Sequence, residues 1–386
     1  MKRGLTGRWS QESRDGRDYD AFIPDNLPPY PRLDWSPELI TLLGKATASV
    51  ARLDGASHAL PDFHLFLYSY IRKEAVLSSQ IEGTQSSLSD LLLHENEVLP
   101  GVPLDDVKEV SRYVNALNQG ITQVRNGREI DLSLVLELHR ILLSSGRGSD
   151  KDPGSVRTAQ NWIGGRTPDN CMFVPPPPEQ LAEVLPKFFK YLSESSDPTL
   201  IKAALAHLQF ETIHPFRDGN GRIGRLIITL LLCREKLIGE PLIYLSLYLK
   251  ENRATYYSHL QAVRIEGDWE TWVEFFLKGI SEVADHAYNM TDKIRTQFAR
   301  DEDLIRSEGK RKSHSMLELH RVAKQTPVFT AAKAEEILNQ SISKPTIYAA
   351  AQELCTLKIL ESKLNEKGVQ LFYYKDYLAY LIESHS

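Results

Sequence analysis

Cysteine is scarce in this chain. Its 386 residues include three, Cys171, Cys233 and Cys355, widely spaced and without a Cys-x-x-Cys pair. An odd, dispersed set excludes a disulfide framework and a thiolate zinc site, and predicts a reducing, cytoplasmic setting. Long apolar runs are missing too. Met1-Lys2-Arg3-Gly4 is basic but no apolar segment follows it, and the run at 226–233 is far shorter than the roughly 20 residues that span a bilayer. Neither export nor membrane insertion is expected. Positive charge is not in excess: 46 Lys and Arg against 51 Asp and Glu leave a net charge of -5. Bulk attraction to nucleic acid or anionic membranes is therefore not indicated, though local patches remain open. No internal repeat is found, and no Val/Ile-rich run alternates with helices as a parallel sheet requires.

What is present is 42% apolar and 25% charged residues, with a mean hydropathy of -0.32. Such a chain can bury a sizeable core in about two to three domains at ~150 residues each. Residues 1–35, rich in charge, Gly and Pro, read as an extended arm over the surface. Ser36-Pro37-Glu38 then starts a helix with Leu39, Leu42, Leu43 and Ala46 on its apolar face. A second helix covers about 61–81, with Phe63, Phe66, Leu67, Tyr70 and Ile71 on its buried side and Glu82-Gly83 at its end. Helical patterns near 104–126, 132–144 and 179–194 add to a bundle divided into regions 36–130 and 131–295. Between them, 146–178 lacks helical periodicity, and 161–165 with 170–175 read as the two strands of a hairpin flap.

Farther on, 252–264 and 268–300 are helical, the second with Trp269, Trp272, Phe275, Phe276 and Ile280 facing a core. The charged stretch 296–312 reads as a linker or solvated helix end. From 313 to 386 three helices precede two short apolar alternations around Asn365-Glu366-Lys367-Gly368, which is the order of a winged helix. Ser343-Lys344-Pro345-Thr346 opens its recognition helix. Eight Lys and Arg cancel eight Asp and Glu there. Docking to protein or to a second copy is thus at least as well supported as binding to nucleic acid.

The densest chemistry lies at His214-Pro215-Phe216-Arg217-Asp218-Gly219-Asn220-Gly221-Arg222-Ile223-Gly224-Arg225. The apolar helical pattern of Ala203, Ala204, Leu205, Leu208 and Phe210 leads into it, and a second pattern starts at Ile223, so this is a helix, a tight loop and a helix. Gly219-Asn220-Gly221 lets backbone approach a ligand where unpaired N–H groups and the positive end of the helix dipole attract an anion. Arg222 and Arg225 share a face and lean toward that anion, and two guanidiniums suit a polyphosphate. Asp218 either pairs with arginine or holds a Mg²⁺ that bridges phosphates. His214 has the right ordinary pKa for a general base that takes a proton from an attacking hydroxyl. The loop is neither a Walker A sequence nor a His-Glu-x-x-His zinc site.

This stretch resembles the signature of the Fic family, His-Pro-Phe-x-[Asp/Glu]-Gly-Asn-Gly-Arg-x-x-Arg, at every specified position. The resemblance spans about 35–290 and implies a mostly α fold: a Fic-type helical bundle with a β-hairpin flap, carrying a small C-terminal winged-helix domain. It implies transfer of AMP from ATP to a Ser, Thr or Tyr hydroxyl of a protein, self-modification included, in a possible homodimer. His214 is then the general base and Asp218 the Mg²⁺ ligand. Gly219, Asn220 with its amide, and Gly221 cradle the α-phosphate, while Arg222 and Arg225 hold the β- and γ-phosphates. Phe216 packs into the core and orients the loop. By the same resemblance the flap, 163–174, docks the target's main chain, with Gly164 and Gly165 giving room for the nucleotide. Asn252, Tyr256 and Tyr257 resemble the family's adenine-side residues, although the two tyrosines fit a helix core equally well.

Ser78-Ser79-Gln80-Ile81-Glu82-Gly83 resembles the family's inhibitory motif [Ser/Thr]-x-x-x-Glu-[Gly/Asn]. Ser78 and Glu82 are four apart and share a helix face. A carboxylate carried to Arg225 would take the γ-phosphate's partner. Two further readings stay open: removal of AMP, or transfer of another nucleotide or phosphate-linked group, at the same site; and a nucleotide-sensing, DNA-binding regulator that uses the winged helix.

Overall fold

The computed structural model describes residues 2–14, 16–58, 63–95, 104–365 and 368–382. Where an extended arm was expected, strand β1 (Gly7–Arg14) pairs antiparallel with β2 (Arg17–Pro24). Proline and charge hid a hairpin whose sequence signal is the Asp15-Gly16 pair, since such pairs supply the positive φ of tight two-residue turns. Gly16 has φ +73°. Ala21, Phe22 and Ile23 on β2 are buried, which anchors the hairpin to the body of the protein.

Helix α1 (Pro37–His58) starts as its sequence predicts, with Ser36 Oγ accepting the Leu39 N–H at 3.1 Å. Helix α2 (Phe63–Ile81) ends at Gly83, whose φ of +97° is the left-handed conformation expected there. Tyr70 and Ile71 are buried; Pro61 and the side chains of Phe63 and Phe66 lie outside the described residues. Helix α3 (Leu88–Glu95) is an addition to the expected set, too short for its periodicity to stand out. Then follow α4 (Leu104–Arg125), α5 (Leu132–Leu142), the hairpin β3 (Ile163–Thr167) with β4 (Asn170–Phe173), and α6 (Pro178–Glu194).

Helices α7 (Thr199–Ile213) and α8 (Asn220–Arg234) form the centre of the bundle. Every residue from Leu200 to Ile213 is buried, as is every residue of α8 from Arg222 to Cys233. Helices buried on all faces cannot show an amphipathic stripe, and their charged residues must find partners inside. Short α9 (Ser246–Glu251) and α10 (Arg253–Glu266) lead to α11 (Trp269–Glu308), 40 residues long.

The expected linker at 296–312 is corrected by α11. The helix continues through it to Glu308, a single turn at Lys310–Lys312 follows, and Phe298, Asp301 and Ile305 are buried. They face the last part of the chain: α12 (Ser313–Gln325), β5 (Val328–Thr330), α13 (Ala331–Ile337), α14 (Lys344–Thr356), β6 (Glu361–Leu364), β7 (Gln370–Tyr373) and α15 (Lys375–Ile382). The three helices and two strands expected there are present. A third strand completes a sheet of order β5-β7-β6, and α15 is added. Glu366 and Lys367 of the expected turn lie outside the described residues. Phe298 packs among His320, Tyr374 and Tyr377, and the Tyr377 hydroxyl lies 3.3 Å from Ser69 Oγ on α2. One continuous apolar core joins the helices of the bundle to α12–α15, β5 and β7.

Candidate active site

His214 ends α7 in the left-handed conformation, φ +49° and ψ +59°, its N–H donating to Phe210 O at 2.9 Å. A non-glycine residue held there is strained by the order of 1 kcal/mol or more and needs its surroundings to fix it. Those surroundings are Arg157 and Asn161, from the stretch without helical periodicity. Arg157 donates through Nε to His214 O at 2.9 Å, through Nη2 to Pro176 O at 2.6 Å and through its backbone N–H to Pro215 O at 2.9 Å. A buried guanidinium against the last carbonyls of α7 also complements the negative end of that helix. Asn161 Nδ2 donates to Phe216 O at 2.9 Å.

Burial first, then the charges of Arg157 and Arg264, brings the His214 imidazole down to about 4. It is neutral at physiological pH. Nδ1 is buried and turned toward Glu211, whose Oε2 is 4.0 Å away, and the side chain is 19% exposed. Nε2 is thus the nitrogen that faces outward.

Phe216 is fully buried and stacked on His139, ring centroids 3.9 Å apart. His139 Nδ1 accepts the Gly154 N–H at 2.9 Å, so its Nε2 carries the proton and donates to Asp218 O at 3.0 Å. Here one expectation is corrected. The Asn220 side chain is not free for a ligand: Oδ1 accepts the Phe216 N–H and Nδ2 donates to Phe216 O, both at 2.8 Å. Asn220 closes the loop on itself. The donors left for an anion are the backbone N–H groups of Asn220, Gly221 and Arg222, the first turn of α8, which have no acceptor in the helix.

Arg222 is corrected as well. It is 1% exposed, and Nη1 binds Glu109 Oε1 at 2.6 Å while Nη2 reaches Asp218 Oδ1 at 3.2 Å. In this structure both of its Nη groups are thus taken by carboxylates of the chain. Asp218 Oδ1 also accepts the Gly219 N–H at 2.6 Å, which leaves Oδ2 for a cation. Among the described residues no cluster of three or more His, Cys, Asp or Glu side chains could hold a metal. One carboxylate still fits Mg²⁺, which takes one or two carboxylates plus phosphate oxygens of its substrate.

Arg225 is already engaged. Nε donates to Ser78 Oγ at 2.8 Å, and Nη2 to Ser78 O at 2.9 Å and to Glu82 Oε1 at 2.7 Å. The Glu82 carboxylate also sits so close to the α8 N-terminus that a β-carbon on Gly221 would collide with it. Burial would raise its pKa, but Arg225, then Arg222 and His214, outweigh that and hold it below the ordinary carboxylate range. The anion site therefore contains an anion from the chain itself.

The adenine-side expectation is corrected in part. Tyr256 is 1% exposed, its hydroxyl 2.9 Å from His207 Nε2, and belongs to the core with Trp272. Tyr257 is half-exposed beside Arg253, and Asn252 Nδ2 donates to Tyr248 O at 3.0 Å. Gly164 and Gly165 have φ of +69° and +84°, and β-carbons there would strike Met172 and Asn170 O. The hairpin's own geometry demands these glycines, whatever binds beside them. His139, Arg157, Asn161, Glu109 and Arg264 are contributors that sequence reasoning missed. A lone histidine in an apolar helix and polar residues in an aperiodic stretch carry no signal until the chain is folded.

Fold and site together define a helical protein whose loop between two buried helices offers free backbone N–H groups next to the Glu82 carboxylate. The chain carries the two parts that define the Fic/DOC family: residues 40–122 match the family's N-terminal part and 129–232 the Fic/DOC family itself. The protein adenylyltransferase fic-1 of Caenorhabditis briggsae is 31% identical over 207 residues, 51% of this chain and 37% of that protein. The protein adenylyltransferase Fic of Culex quinquefasciatus is 31% identical over 242 residues, 58% of this chain and 44% of that one. The chain thus spans less than half the length of these relatives. The fold is shared with a Fic family protein from Desulfovibrio desulfuricans, at a TM-score of 0.57 and 18% identity over 89% of this chain and 97% of that one. No helix among the described residues is long and apolar enough to cross a membrane.

Proposed function

We propose that the chain transfers AMP from ATP to a Ser, Thr or Tyr hydroxyl of a protein and is held back by Glu82. The observation that carries this reading is the Glu82 carboxylate lodged between Arg225 and the N-terminus of α8, where an ATP phosphate would lie. The relatives' names support the reaction. His214, neutral and with Nε2 outward, takes the proton of the incoming hydroxyl. The oxygen attacks the α-phosphorus, the bond to the bridging oxygen of the β-phosphate breaks, and pyrophosphate leaves. The N–H groups of Asn220, Gly221 and Arg222 receive the α-phosphate charge as it builds, at no cost of reorganisation. Asp218, oriented by Arg222 and Gly219, would hold Mg²⁺. When bound, that ion would neutralise phosphate charge. With Glu82 in place, Arg225 is not available to the γ-phosphate.

Replacement of Glu82 by glycine should raise AMP incorporation from labelled ATP into lysate proteins and the chain itself by at least about tenfold, the factor that 1.4 kcal/mol makes in a rate. Added His214→Ala should remove it, since a general base is worth roughly 10²–10⁴. Labelling by Glu82→Gly equal to or below that of the unsubstituted chain would overturn the reading. Glu82 also lies close enough to His214 to bias its protonation, and this favours a second reading in which the pair directs water onto a bound AMP ester. Release of AMP from a labelled target by the unsubstituted chain, lost in Glu82→Gly, would separate the two.

A further inference from the structure

The N-terminal hairpin lies beside the flap. At its root, Phe22 N–H donates to Val174 O at 2.9 Å, directly after β4, and the Phe22 ring is 6.0 Å from that of Phe173. At the tips, Arg17 Nη1 is 3.6 Å from Asp169 Oδ1 in the flap turn. Trp9 on β1, exposed and paired opposite Phe22 on β2, packs edge-on against it at 5.0 Å. Residues before β1 tie the hairpin to the end of α10: Gly4 N–H donates to Glu266 O at 2.9 Å and Thr6 N–H to Arg264 O at 3.1 Å.

Arg264 links these contacts to the site. Its guanidinium lies 3.8 Å from the Phe173 ring centroid, while Nε donates to Thr212 Oγ1 at 3.1 Å and Nη2 to Glu211 O at 3.3 Å, in the last turn before His214. Trp9, Phe22, Phe173 and Arg264 make an unbroken line from the hairpin's outer face to the catalytic helix. An isolated two-stranded hairpin is marginal in water, so the flap depends on what it leans against for a defined position.

We propose that the hairpin β1–β2 is a positioning element for protein targets, with Phe22 the residue that fixes the flap relative to His214. This rests on the reading of 163–174 as the surface that docks a target's main chain. Such a surface works only if the edge it offers places the target hydroxyl within reach of His214, and a loose flap weakens capture of the target without touching ATP.

The test compares Phe22→Ala and the conservative Phe22→Leu, both in the Glu82→Gly chain. Two readouts are used: hydrogen exchange of flap amides, and AMP labelling of a bulk lysate at varied lysate and ATP concentrations. In Phe22→Ala, exchange at 163–173 should rise at least about tenfold while α8 amides stay protected. Half-maximal lysate concentration should rise by a similar factor with the KM for ATP unchanged, and Phe22→Leu should restore most of both. Unchanged flap exchange, or a rise in the KM for ATP equal to that for lysate, overturns the proposal. If the Glu82→Gly parent labels nothing, the adenylyl-transfer reading fails instead, and flap exchange alone decides whether Phe22 fixes the flap.

Discussion

His214 is set up as a base by its surroundings more than by its own chemistry. Free imidazole, near 6.5, would be partly protonated in a mildly acidic cell. Here burial, Arg157 and Arg264 bring it down to about 4, so the base form is fully populated at neutral pH. The acid limb of kcat/KM for the Glu82→Gly chain should therefore fall with an apparent pKa near 4, with no loss attributable to imidazole protonation from about pH 5.5 upward. Arg157→Gln should move that limb toward 6.5 by removing one of the two charges. A limb already near 6.5 in the parent, read from a pH profile of labelling rate, would contradict the assigned environment.

Among the elements, α11 changes the organisation most. Its final third buries Phe298 and Ile305 under α12, the β5-β7-β6 sheet and α15, and Asp301 accepts a short hydrogen bond from Tyr374. The last part of the chain is thus a wall of the core. A chain ended at 308 should lose several kcal/mol, since each large apolar side chain returned to water costs about 1.5–3 kcal/mol. Its melting temperature should drop by at least about 5 °C. Calorimetry of the truncated and full chains checks this; equal melting temperatures would mean that 309–386 folds apart from the rest. Helices α1, α4, α6 and α11 were legible because helices of this length repeat their pattern, and α7 and α8 because the proline and glycines between them punctuate two apolar runs, whereas α3 and α9 are too short to do so. Hairpin β1–β2 was hidden because its charged, outward strand matches the composition of an unstructured arm.

For the whole molecule, buried titratable groups set the dependence of stability on pH. Burial, the largest cause in each case, lowers His139 and His214 from 6.5 to about 4 and His207 and His320 to about 3. It raises Glu74 and Glu211 from 4.5 to about 7. The unfolded chain binds more protons at the four histidines between their folded values and 6.5, so stability rises with pH across that window. The two glutamates act oppositely: their contribution is present below 4.5 and lost as pH rises through about 7. Four groups outweigh two up to 6.5, and above it only the glutamates still act. The melting temperature should therefore peak near pH 6.5, with the steeper fall on the acid side. A peak below pH 5 or above pH 8 in a thermal series would show that these groups are not buried as described.

The sequence by itself determined the helical class, the loop between α7 and α8, the flap and the pairing of Ser78 and Glu82 on one face. Each depends on spacing along the chain, and spacing survives without a fold: glycines at a turn, a proline after a helix, polar residues four apart. The tertiary structure decided which of the loop's groups are free. Arg222 meets Glu109 from α4, Asn220 closes on Phe216, and Tyr256 turns to His207, because a buried polar group must be satisfied by whatever the packing brings to it. It also brought Arg157, His139 and the N-terminal hairpin to the site from segments distant in sequence. Charge and geometry across such distances have no period to read, so the meeting of Glu82 with Arg225, which the family resemblance implied, takes its geometry only from the folded chain.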